Sequence, residues 1–218
     1  MFSQAGAQQG EALRQAVREG MLKALQGREL TLANVKKVLE QAADATSAAA
    51  AKSALPGVDV EALLGQAMAG MDAALLQAVQ AHRMALQQFV DPGMGLQEQQ
   101  MKGALAQIEK MEDAFFGALG KATEGVDGAL QQPWQQALAA MKLQGSESGG
   151  QATASLAQLS TRAQAVLREG RSAGLKQARA LMNGYAALAS GVLIGMSDAL
   201  QPSAAAPSAT ARARKTAR

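Results

Sequence analysis

The residues able to do chemistry are few in this chain. It contains one histidine, His82, and no cysteine, so disulfides and thiolate metal sites are excluded. His82 falls on an apolar helical stripe, where a solitary histidine reads as a tolerated interior residue rather than a catalyst. The segment "EKMED" at 109–113 supplies Glu109, Glu112 and Asp113. It has no histidine beside it and no second carboxylate cluster at metal-ligand spacing, so it reads as a solvated helix face. The glycines of "GQAMAG" and "GMGLQEQQ" neither follow a strand nor carry the lysine of a phosphate-binding loop. No GxSxG is present, and a Ser, His and Asp constellation has no support with a single histidine available. The expectation is a protein with no catalytic residue, no metal site, no cofactor and no small-molecule substrate, and therefore not an enzyme.

The elements that would position any site are helical throughout. Ala, Leu, Gln, Met, Glu, Lys and Arg, all good helix formers, dominate the chain, while aromatic residues make up 3% and β-branched residues are scarce. The fold class is all-α. Alanine buries little area, and at about 25 cal/mol per Å² Ala-lined helices gain less from packing than Leu-lined ones. This points to a homo-oligomer or to a partner surface.

Breakers divide the chain into about five helices in an elongated bundle or coiled coil. Residues 1–57 read as an N-terminal helical pair. Its first helix covers 8–26, with Leu13, Val17, Leu22 and Leu25 at helical spacing, and its second starts at Thr31, a good N-cap. Residues 58–144 read as a long coiled-coil-like hairpin. Asp59 caps the first arm, whose apolar positions include Leu64, Met71, Leu75 and Phe89. The second arm carries Leu105, Ile108, Phe115 and Leu119, and Pro133 kinks or ends it near Trp134. Both arms alternate steps of three and four, the coiled-coil period, and the first, 60–90, would be roughly 45 Å long. Around "KLQGSESGG" (142–150) the composition is that of a flexible linker, placed at 145–152. Residues 153–201 then form a Gly/Ala-rich amphipathic helix, and 202–218 a disordered basic tail.

The most apolar stretch, "NGYAALASGVLIGM", lies in the last helix. Residues 181–197 hold no charge, yet seventeen residues fall short of the roughly 20 that a spanning helix needs, and Asn183, Gly184, Ser190, Gly191, Gly195 and Ser197 dilute them. A simple membrane span is therefore disfavoured. Leu181, Tyr185, Leu188, Val192 and Met196 form one stripe, suited to contact with a hydrophobic surface or another helix. Gly184, Gly191 and Gly195 form a neighbouring smooth stripe that permits close packing.

Charge is uneven: 21 Lys and Arg against 18 Asp and Glu give a formal net charge of +3, with the basic surplus beyond residue 145. Arg212, Arg214, Lys215 and Arg218 in the tail could contact nucleic acid through phosphates, without interleaved aromatics for base stacking. The first twenty residues lack an apolar run of secretory length, and Glu11 and Glu19 oppose a transit peptide. The expected location is cytoplasmic, with possible association with granules or the inner-membrane surface.

The Ala-, Gln- and Met-rich amphipathic helices, the absence of cysteine and the closing "PSAAAPSATARARKTAR" resemble phasins, bacterial proteins that coat polyhydroxyalkanoate granules. What the resemblance implies is a helical protein that self-associates by coiled-coil contacts and lays apolar faces on a polymer or lipid surface, with no catalysis. Two alternatives stand beside it. One is a soluble coiled-coil adaptor or oligomer, and the other a nucleoid-associated protein that binds DNA through the tail.

Overall fold

The computed structural model describes residues 2–52, 59–90, 98–126, 128–168 and 185–200. These form α1 (Phe2–Gln26), α2 (Leu32–Lys52), α3 (Val60–Val90), α4 (Glu98–Glu124), a 3₁₀ turn (Gly128–Leu130), α5 (Gln131–Gln144), α6 (Glu147–Arg168) and α7 (Tyr185–Leu200). No strand occurs among the described residues. The protein is an all-α helical bundle.

Local capping follows the residue types. The Thr31 side-chain oxygen accepts the backbone N–H of Asn34 at 3.3 Å, and Asp59 Oδ1 accepts that of Ala62 at 3.0 Å. Each satisfies a donor that the first turn of a helix leaves without an intrahelical partner. The first helix begins at Phe2 rather than residue 8; the leader 2–7 contains no proline, and its single Gly6 lowers helix propensity without ending the helix.

α3 is the hub. It packs chiefly against α1, α6, α7 and α5, and less against α2 and α4. Leu64, Met68, Met71, Leu75, Val79 and Leu86 are buried along it, on more than one face. A helix enclosed by neighbours is apolar nearly all round, which is also why its span from Val60 to Gln88 has the length and composition of a membrane helix. Its apolar faces here are covered by protein.

That arrangement corrects the hairpin at 58–144. α3 and α4 touch only lightly, and α4 lies mainly on α2 and α6. The three-four period records which positions are buried, and those positions are filled by several helices of the same chain. All buried seam residues belong to one core.

Three boundaries also differ from the sequence reading. α4 ends at Glu124, before the 3₁₀ turn, where Gly128 takes a φ of +44° that glycine adopts freely. Pro133 then sits in the first turn of α5, where its missing N–H costs nothing. Residues 147–152, expected as part of a flexible linker at 145–152, form the start of α6. Among the described residues seven α-helices are present, against about five expected, and the single last helix is represented by α6 and α7. The tail at 202–218 lies outside the described residues.

Candidate functional site

Two polar junctions hold the bundle together from inside. The first joins α3, α7 and the loop between α1 and α2. The Tyr185 hydroxyl shares a hydrogen bond with His82 Nδ1 at 2.5 Å, and it lies within donating distance, 3.4 Å, of the His82 carbonyl oxygen. His82 Nε2 is buried without a hydrogen-bond partner. Both side chains are buried. Burial draws the His82 pKa from 6.5 down to about 4, with a backbone contact from Leu30 acting in the opposite direction, and it pushes the Tyr185 phenol upward. Two neutral groups enclosed in this way hold no mobile proton near neutral pH, and neither meets solvent. The pair fastens helices.

The loop reinforces it. Leu30 N–H donates to the Ala186 carbonyl at 3.3 Å, and the Ser190 hydroxyl donates to the Arg28 carbonyl at 2.5 Å. Successive turns of α7 are thus tied to α3 and to the α1–α2 loop. Of the stripe expected to meet a hydrophobic surface or another helix, Tyr185 is buried, while Leu188, Val192 and Met196 are half-buried against the core. The stripe meets protein. Leu181 lies outside the described residues.

The close-packing glycines fare differently. Gly191 and Gly195 are exposed, and a Cβ on either would meet no atom within 4 Å. Among the described residues nothing packs against them, and Gly184 lies outside the described residues. Together with exposed Ala187 and Ile194, 37% exposed, they make the outer face of α7 smooth and uncharged.

The second junction is one the sequence reading missed. Asp72 of α3, only 4% exposed, accepts the Glu147 N–H at 2.8 Å, the Ser148 N–H at 3.2 Å and the Ser148 hydroxyl at 2.5 Å. Ser146, the N-cap, accepts the Gly149 N–H at 3.0 Å and donates to Glu112 Oε1 at 2.7 Å. Two carboxylates, from α3 and α4, therefore meet the positive end of the α6 dipole. A Cβ at Gly149 would overlap the Glu112 carboxylate, so a larger residue there would have to displace that carboxylate from Ser146. The available signals were a lone Asp in a long apolar helix and a Ser followed by Glu, a helix-start pattern hidden by its Gly-rich surroundings.

The expected seam resolves as core: Leu64, Met71, Leu75, Ile108, Phe115 and Leu119 are buried, and Leu105 is packed against them. The side chain of Phe89 and the tail residues Arg212, Arg214, Lys215 and Arg218 lie outside the described residues. Among the described residues no group of three or more His, Cys, Asp or Glu is placed to hold a metal ion.

Openings on the described surface include two that α1 helps to line. An apolar groove of about 330 Å³ runs between α1 and α2, lined by Leu13, Val17, Met21, Ala42, Ala45 and other small residues. A more polar cleft of about 290 Å³ lies between α1 and α3, lined in part by Glu11, Arg14, Gln15, Arg18 and Gln77.

A family model matches residues 1–202. The chain belongs to DUF6781, a family of unknown function. No curated protein and no solved structure matches it. The DUF6781 match spans every described helix and stops as the basic tail begins.

Proposed function

We propose that this chain is a non-catalytic helical scaffold, phasin-like in behaviour, that self-associates and adsorbs to a hydrophobic granule or lipid surface through the outer face of α7. The observation that carries this reading is the open, uncharged row of Ala187, Gly191, Ile194 and Gly195, on a helix whose opposite face is fixed by Tyr185 and Ser190. A rigid apolar face presented outward suits adsorption without unfolding. The groove between α1 and α2 adds a second apolar opening.

A soluble helical adaptor is the competing reading. The burial of the seam residues within one core favours it, since those positions then require no second chain.

Co-sedimentation of the full chain with polyhydroxyalkanoate granules, neutral liposomes and DNA separates the readings. Granule or liposome binding that persists in high salt supports adsorption. A discrete species that stays in solution with all three favours the adaptor, and salt-sensitive DNA retention favours a role for the tail.

A further inference from the structure

We propose that a second copy of this chain docks its α2 antiparallel on α2 and the adjoining α1–α2 groove, about a twofold axis at Ala48. The inference rests on the self-association proposed above and names the surface that produces it.

The groove between α1 and α2, about 330 Å³, has no charged residue in its lining. Leu13, Val17 and Met21 supply its bulk, and its exposed margin includes Gly20, Ala45 and Ala49. Residues this small let another helix axis come close enough to touch the apolar side chains between them.

Beside the groove, α2 from Ala45 to Ala51 carries no charge and nothing larger than threonine. Exposed alanines alone record helix propensity. What singles out this segment is the charge at each end. Asp44 and Lys52 stand four residues before and four after Ala48, so the three share one stripe of the helix. All three are exposed. Neither charge has an ion-pair partner among the described residues, whereas Glu40, one turn earlier, is held by Lys121 of α4 at 3.1 Å.

That arrangement is self-complementary in one orientation. Two α2 helices crossing antiparallel at Ala48 bring Asp44 of each copy to Lys52 of the other, twice by symmetry. Parallel copies in register would oppose Asp44 with Asp44 and Lys52 with Lys52. The charges therefore fix direction and register, and covering the groove supplies the apolar burial. A contact confined to 44–52 and the groove is smaller than the roughly 800 Å² per partner of a standard interface, so the dimer is reversible.

Sedimentation velocity of the full chain across a range of concentrations reads the equilibrium. Asp44→Lys and Lys52→Asp, made singly, set like charges against each other and should each weaken dimerisation by about tenfold. The double variant restores opposite pairs and should recover it. A mixture of the two single variants should form a heterodimer, because one copy then carries two positive charges and the other two negative ones. The chain has no cysteine, so Ala48→Cys under mild oxidation should give a disulfide-linked dimer, while Lys110→Cys, exposed on α4, should not. Circular dichroism confirms that each variant is folded. An oligomer indifferent to the charge changes and not linked through position 48 would overturn this interface and leave self-association standing. A chain that stays monomeric throughout would overturn both, and flotation of Ile194→Asp tests adsorption through α7 separately.

Discussion

His82 Nδ1 lies 2.5 Å from the Tyr185 hydroxyl, joining α3 to α7 across 103 positions of sequence. This contact places the most apolar helix inside the bundle, and it explains how the only histidine is kept neutral. The surrounding core excludes water, and the histidine's side-chain partner is a neutral phenol hydroxyl rather than a carboxylate.

The pair should make stability depend on pH. A histidine near 6.5 when unfolded and about 4 when folded binds more protons in the unfolded state between those values. Its neutral form therefore stabilises the fold above pH 6.5, and that contribution is lost as pH falls toward 4. The full difference amounts to about 3 kcal/mol. Urea unfolding at pH 7, 5.5 and 4 should show the decline, and His82→Gln should flatten it. An unchanged pH slope in that variant would place the effect elsewhere.

Removing only the hydroxyl isolates the hydrogen bond. Tyr185→Phe should cost about 1–3 kcal/mol, because Nδ1 is left buried without its partner. Chemical denaturation measures this directly, and faster amide exchange along α7 should accompany it.

The crossing at Gly70 gives a contrast within one helix. Gly70→Ala forces a Cβ into the Arg14 carbonyl, and displacement of α1 should destabilise by about 1–3 kcal/mol. At Gly65 nothing lies within 4 Å, so Gly65→Ala should be neutral or gain up to about 1 kcal/mol from helix propensity. Thermal melts of the two variants should move apart.

Asp72 should prove the strongest single polar contributor. Asp72→Ala leaves two backbone donors and a serine hydroxyl at the start of α6 without their acceptor, and a loss of about 2–4 kcal/mol is expected. Amide exchange should rise first at Glu147 and Ser148. Protection unchanged at those two positions would show that the cap is not holding α6.

For adsorption, Ile194→Asp is the informative change, since Ile194 faces outward and the bundle should keep its helicity. Granule or liposome binding should fall by tenfold or about that. Leu188→Asp and Val192→Asp place a charge against the core and should lower stability as well. Trp134, the one tryptophan and fully buried, reports on opening: adsorption through the outer face of α7 leaves its emission unshifted, while adsorption by unfolding shifts it to the red.

Helical class, the caps at Thr31 and Asp59 and the buried positions of α3 and α4 were legible in the sequence by itself, because propensity, capping and periodicity act within a few residues of one another. Periodicity states which side of a helix is buried and leaves open what covers it. Leu64 and Phe115 therefore fit a coiled-coil hairpin equally well until the neighbours of α3 are seen. The stripe from Tyr185 to Met196 was ambiguous between a free surface and a protein contact for the same reason. Only the tertiary structure decided that it faces inward while Gly191 and Gly195 face out. Asp72 and Ser148 are 76 positions apart, beyond the reach of any local signal. "SESGG" read alone is a flexible run; it becomes the anchored first turn of α6 when folding brings carboxylates from α3 and α4 to its exposed backbone donors.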